Sequence, residues 1–145
     1  MKGMAFPGAV WLVLAGAAIA QEDRSVISAS GNEAFFVSPS GNIQCAITAG
    51  DGVVAECYLR QFTPSAALAA QPCGQSWGFF VDHQSPGRAQ CADPAYVMMT
   101  APKVLGYGRW VSLAGITCRS EKSGMTCTNG AGHGFQLARA AQSLF

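Results

Sequence analysis

Charge is scarce in this chain, and what there is nearly cancels. Charged residues make up 12% of the 145 positions, with nine Lys and Arg against eight Asp and Glu. So few cations cannot form a basic stripe, which argues against a nucleic-acid partner held through its phosphates. Histidine occurs only twice, as His83 and His133, and the acids are scattered. No dedicated metal site and no cofactor is expected from such a set. The cysteines are separated by 11, 15, 17, 26 and 8 residues. None of these spacings makes a C-x-x-C knuckle for zinc. There is no G-x-S-x-G nucleophile elbow. Ser40 lies in Ser38-Pro39-Ser40-Gly41-Asn42, a turn sequence. Glycoside hydrolysis needs two acids flanking a groove, whereas Asp51 falls at the tip of an expected hairpin and Glu56 inside one of its strands.

Long apolar runs are also missing, apart from the N-terminus. Residues 1–20 read as an export signal: Lys2 supplies the positive start, Ala9–Leu14 the apolar stretch, and Ala18-Ile19-Ala20 the small-x-small cleavage site. The run is too short to span a membrane, which takes about 20 apolar residues, and Pro7, Gly8 and Gly16 interrupt it. The expectation is therefore cleavage after Ala20, a mature start at Gln21, and a periplasmic or secreted product with no transmembrane anchor. Loss of Lys2 with the leader leaves acidic and basic groups equal in number. The N-terminal Gln21 can then cyclise to pyroglutamate.

What remains is rich in cysteine, glycine and short apolar stretches. Half of all residues are apolar, which excludes a disordered chain. Six cysteines behind an export signal read as a disulfide framework. Ile43–Thr48 and Val53–Leu59 flank Ala49-Gly50-Asp51-Gly52, a turn that folds Cys45 onto Cys57. Gly115–Arg119 and Met125–Thr128 flank a second turn, which folds Cys118 onto Cys127. Directly opposed strand residues lie about 4.5–5.5 Å apart at Cα, within reach of a disulfide. Cys73 and Cys91 are left for each other across a longer loop. Each bridge closes a short loop and adds roughly 2–4 kcal/mol in the chain-entropy account.

The rest of the chain alternates short strands with Gly/Pro turns. Residues 21–33 form a short N-terminal arm, and 34–145 a single domain. Strands are expected at Phe35–Val37, Trp77–Val81, Ala89–Cys91 and Arg109–Val111. In Gln61–Gln71, Thr63 is placed to cap a short helix with Pro64 at its first position, an extended loop being the alternative. Residues 92–102 read as irregular, and Phe135–Arg139 as a strand or the start of a terminal helix. A turn glycine precedes Cys45, Cys91 and Cys127 by three or four residues, a faint echo that a three-fold trefoil would accommodate. The fold class expected is all-β, a small antiparallel barrel or sandwich stapled by three disulfides.

The string Phe36-Val37-Ser38-Pro39-Ser40-Gly41-Asn42-Ile43-Gln44-Cys45 resembles a family of uncharacterised small secreted bacterial proteins, classed as a domain of unknown function. The likeness continues through Cys57-Tyr58-Leu59-Arg60, Gly87-Arg88-Ala89-Gln90-Cys91, Leu105-Gly106-Tyr107-Gly108 and Gly115-Ile116-Thr117-Cys118. It ends with Gly124-Met125-Thr126-Cys127 and Gly132-His133-Gly134-Phe135. The resemblance implies one domain, export and six paired cysteines, and carries no activity.

Four residues stand out as candidate ligand contacts: His133 and Phe135 in the Gly132–Phe135 string, and Tyr107 and Trp110 beside loop glycines. The competing role for each is structural, a turn for His133 and core packing for the aromatics. Asp82-His83 would need a serine partner to act as a nucleophile system. The residues favour a non-catalytic binding or inhibitory module, for example one that holds an envelope or extracellular enzyme. The alternatives are a structural envelope component or a small envelope hydrolase using His83 or His133.

Overall fold

The computed structural model describes residues 3–4 and 8–145. Lys2, the positive end of the expected leader, lies outside the described residues. Twelve strands and two short helices follow one another: β1 (Gln21–Glu22), β2 (Glu33–Val37), β3 (Ile43–Ala49), β4 (Val53–Leu59), α1 (Ala66–Ala69), β5 (Ser76–Asp82) and β6 (Arg88–Ala92). Then come α2 (Ala95–Met98), β7 (Lys103–Val104), β8 (Arg109–Leu113), β9 (Ile116–Glu121), β10 (Gly124–Thr128), β11 (Gly134–Leu137) and β12 (Gln142–Leu144). They form two six-stranded sheets, ordered β1-β8-β9-β10-β11-β12 and β6-β5-β4-β3-β2-β7. Neither sheet closes on itself, so the architecture is a sandwich and not a barrel.

All three disulfides pair as expected, Cys45–Cys57 and Cys118–Cys127 across their turns and Cys73–Cys91 as the remaining pair. Cys45 and Cys57 face each other directly across β3 and β4, and Cys118 and Cys127 across β9 and β10. Their Cα separations are 4.1 and 4.0 Å. Both bridges point into the space between the sheets, and all four cysteines are fully buried. Cys57 Sγ lies 3.9 Å from Cys127 Sγ, so the two bridges touch at the centre of the core.

The internal repeat is two-fold, not the three-fold echo of the cysteine spacing. Each half has a short leading strand (β1 or β7) followed by a five-stranded antiparallel meander (β2–β6 or β8–β12). Each leading strand crosses over and pairs in parallel with the first strand of the other meander, β1 with β8 and β7 with β2. In one sheet, register lines up Phe36, Cys45, Cys57 and Phe79 across the inner face; in the other, Val111, Cys118, Cys127 and Phe135. Across the core, Cys57 meets Cys127, and the Phe79 ring meets that of Phe135 at 6.4 Å between centroids. A residue that meets its own counterpart is the mark of a two-fold axis. Cys91 belongs to the edge strand β6 and has no equivalent in the second half.

The halves differ in their connections. The β4–β5 link carries α1, whose N-cap is Ser65, one residue after Pro64, and not Thr63. The Ser65 N–H donates to Gln142 Oε1 instead, and Gln142 Nε2 donates to the Thr63 carbonyl, tying this link to β12. Residues 92–102 hold α2, which covers the outer face of β3 and β4. That is why β3 is buried along most of its length, with no alternation. Gln44 is 1% exposed on this covered side. Its Nε2 donates to the Val97 and Thr100 carbonyls, and its Oε1 accepts from Arg60, so the buried amide is satisfied. Phe135 lies in a strand, and β12 adds a further strand not anticipated from sequence. Residues 21–33 pack onto the sandwich: Asp23 N–H donates to the Trp110 carbonyl, and Val26 is buried.

Candidate functional site

The four residues singled out from sequence do not converge. His133 sits in the β10–β11 turn, where its backbone N–H donates to Asn129 Oδ1 and its carbonyl accepts from Asn129 N–H. Asn129 also donates to the Asp82 and Ser85 carbonyls, so this turn is a clamp between the two sheets. Phe135 is fully buried against Phe79 and faces the core, not a ligand. Tyr107 is half-exposed at the opposite end of the sandwich. Trp110 lies on β8, its Nε1–H donating to the Ala20 carbonyl at 3.0 Å.

The acid–base candidates are likewise occupied. Asp82 Oδ1 accepts from the Ser85 and Gln84 N–H groups at 2.7 and 2.9 Å. Those bonds hold its carboxyl down to about 2. The carboxylate thus shapes the loop and is not aimed at His83, which is exposed. Burial raises the Glu56 carboxyl above the usual range, while the Tyr58 O–H donating to it at 3.2 Å works in the opposite direction. Tyr58 is itself pushed up by burial and by Glu56. Tyr96 donates to Glu33 at 2.8 Å and is pushed up to about 12 by burial first and that bond second. Among the described residues, no three His, Cys, Asp or Glu side chains stand close enough together to hold a metal ion.

A cleft of about 300 Å³ opens instead at the Tyr107 end. The β2–β3 turn supplies Ser38 and Ser40, the β9–β10 turn Lys122 and Ser123, the β7–β8 loop Tyr107, and the β11–β12 loop Arg139. Ile43, Gly124 and Ala138 form its apolar floor. Both sheets contribute, because the turns of the two meanders meet at the ends of the sandwich. Gly124 lets two strands approach closely: its φ is 136°, and a Cβ there would lie 2.1 Å from the Leu137 carbonyl oxygen.

The polar lining is unbalanced towards donors. Ser38, only 6% exposed, accepts from the Ile43 N–H, and its Oγ lies 3.0 Å from that of Ser40. Ser40 accepts in turn from the Asn42 N–H. Whichever serine donates to the other, one hydroxyl hydrogen of the pair is left over. The Asn42 amide is consumed by the backbone of Gln61 in both directions. Among the described residues, Lys122 and Arg139 have no carboxylate within 4.0 Å; the ion pairs are Arg24–Glu22, Arg88–Asp82 and Arg109–Asp23. The acid of the cleft, Glu121, accepts from the Ser123 hydroxyl at 3.4 Å. A second hollow of about 390 Å³, lined by Ala20, Gln21 and Arg119, shares Tyr107 and Glu121 with the cleft.

Of these lining residues, only Tyr107 was singled out as a ligand contact from sequence. Ser38 and Ser40 read as turn residues. Lys122, Ser123 and Arg139 gave no signal of their own, each being one more polar residue in a tight connection.

Fold and cleft together define a disulfide-stapled β-sandwich with a donor-rich depression at one end. The chain belongs to a family of unknown function, DUF6636, which it matches over residues 17–145. No curated protein and no solved structure matches it.

Proposed function

We propose that this protein is an exported binding module that recognises its ligand through the Tyr107 cleft without chemical turnover. The observation that carries this reading is the set of cleft donors left without acceptors: Lys122, Arg139 and one hydroxyl of the Ser38–Ser40 pair. Unfilled donors brought together at one end of a disulfide-stapled frame are what a recognition site requires, because a ligand's acceptors then meet hydrogens that no protein group already holds. Export is supported by the character of residues 1–20 and by three disulfides, which persist in oxidising compartments. Among the described residues, no helix is long and apolar enough to cross a membrane. Strand β1 begins at Gln21, so cleavage after Ala20 would leave every strand of the sandwich whole and remove one contact, the bond from the Trp110 indole to the Ala20 carbonyl.

The test is comparative capture. The oxidised chain from Gln21 onward and its Tyr107→Ala variant are immobilised in parallel and exposed to envelope extract, and retained proteins and glycans are identified by mass spectrometry. The expected result is a component held stoichiometrically by the wild type and lost with the variant. Equal retention on both surfaces, or none on either, would overturn the assignment of binding to this cleft.

A further inference from the structure

We infer that the cleft takes a sugar bearing one anionic group, a carboxylate or a phosphate. This rests on the reading of the cleft as a binding site and specifies its ligand. Three features of the lining select the class. First, the free groups are donors. Lys122 and Arg139 approach from different turns, neither has an acid within ion-pair distance, and the Ser38–Ser40 pair adds a hydroxyl hydrogen. Such a set complements an acceptor-rich anion and leaves a cationic ligand without a free partner. Second, the charge is modest. Two cations face one acid, Glu121, which the Ser123 hydroxyl already engages. That suits one anionic group and not a polyphosphate.

Third, the body of the site suits a sugar ring. Tyr107 is 45% exposed between Gly106 and Gly108 and lines the cleft, so part of its ring is available to the apolar face of a pyranose. Tyrosine combines that apolar body with a polar tip. Ile43, Gly124 and Ala138 add apolar lining, and Ser38 and Ser40 add hydroxyls that ring hydroxyls can meet. Ser38 is held in place from behind by the Ile43 N–H at 3.1 Å, so its orientation is set before any ligand binds.

The experiment is an NMR titration of the oxidised protein with four probes: glucuronate, glucose 6-phosphate, neutral glucose and inorganic phosphate. Saturable amide shifts at Ser40, Ser123, Gly124 and Arg139 are expected with glucuronate or glucose 6-phosphate. Whichever binds tighter identifies the anionic group. Arg139→Gln and Lys122→Gln should each weaken that binding about tenfold, the effect of losing one charge-assisted hydrogen bond. Arg88→Gln, on β6 beside Asp82 at the opposite end of the sandwich, should leave it unchanged. Neutral glucose binding as well as the anionic sugars would overturn the role of the two cations. Inorganic phosphate binding as tightly as glucose 6-phosphate would overturn the sugar. No shift with any probe would overturn the ligand class outright. If Tyr107-dependent capture from envelope extract persisted in that last case, the binding-module reading would stand while this inference fell.

Discussion

Removing the disulfides one at a time separates two accounts of what they do. The perturbations are Cys45→Ala with Cys57→Ala, Cys118→Ala with Cys127→Ala, and Cys73→Ala with Cys91→Ala. Their sequence separations are 12, 9 and 18. Chain entropy alone then assigns losses of about 2.8, 2.6 and 3.2 kcal/mol respectively. On that account the Cys73–Cys91 bridge matters most. Burial reverses the order. Cys45, Cys57, Cys118 and Cys127 are 0% exposed, whereas Cys73 is half-buried and Cys91 exposed. Each core Cys→Ala change deletes a sulfur from packed surroundings, comparable to losing a methyl-sized group at about 0.5–1.5 kcal/mol. Two such deletions bring either core pair to about 4–6 kcal/mol, against about 3 for Cys73–Cys91. The core pairs should also couple. Cys57 Sγ and Cys127 Sγ are in contact at 3.9 Å, so removing both pairs should depart from the sum of the single losses by at least about 0.5 kcal/mol. Guanidinium unfolding of the oxidised proteins measures all of these. The reasoning is refuted if loss of Cys73–Cys91 costs as much as loss of either core pair.

Three further outcomes follow from particular side chains. Glu56 has its folded-state pKa raised by burial. The native state therefore holds that proton more tightly than the unfolded chain, and this contribution is full below about pH 4.5 and lost as pH rises through the folded value. Wild type should thus fall progressively behind Glu56→Gln in urea midpoint as pH rises above about 4.5. A difference that is constant or shrinks with pH would contradict the assignment. Gly87 lies against the other sheet's backbone, where a Cβ would sit 1.9 Å from the Gly134 carbonyl oxygen, while Gly50 has nothing within 4 Å. Gly87→Ala should cost about 1–3 kcal/mol and Gly50→Ala less than about 0.5, read by thermal unfolding. Ser120 Oγ is buried with no hydrogen-bond partner among the described residues. Removing it as Ser120→Ala should be neutral or stabilising by up to about 1 kcal/mol in the same assay. A clear loss would mean the hydroxyl has a partner, such as a bound water.

The local chemistry of this chain was legible because it is local. Gly50-Asp51-Gly52 and the segment from Ser120 to Gly124 are short, and each brings a cysteine opposite its mate over a few residues. The all-β class follows from the same evidence of short apolar runs between turns. The misreadings lie where distant segments decide. Thr63 has the right chemistry for a cap, but Gln142, remote in sequence, reaches Thr63 and Ser65 and moves the helix start to Ser65. Phe135 looked available in a glycine-rich string until Phe79, from the other meander, covered it. Residues 92–102 looked irregular because the covering role of α2 depends on a sheet face formed elsewhere.

By itself, then, the sequence determined the fold class, the three pairings and the hairpins that carry them, since periodicity, turn residues and short loops act over a dozen positions. Only the tertiary structure decided that the two leading strands exchange sheets, that two disulfides meet at a two-fold centre, and that four separate turns enclose one cleft. Those arrangements depend on contacts between residues tens of positions apart, which no local pattern encodes. The donors of the cleft are ordinary turn residues in the sequence, and become a site because sheet packing brings their turns together and leaves their hydrogens without acceptors.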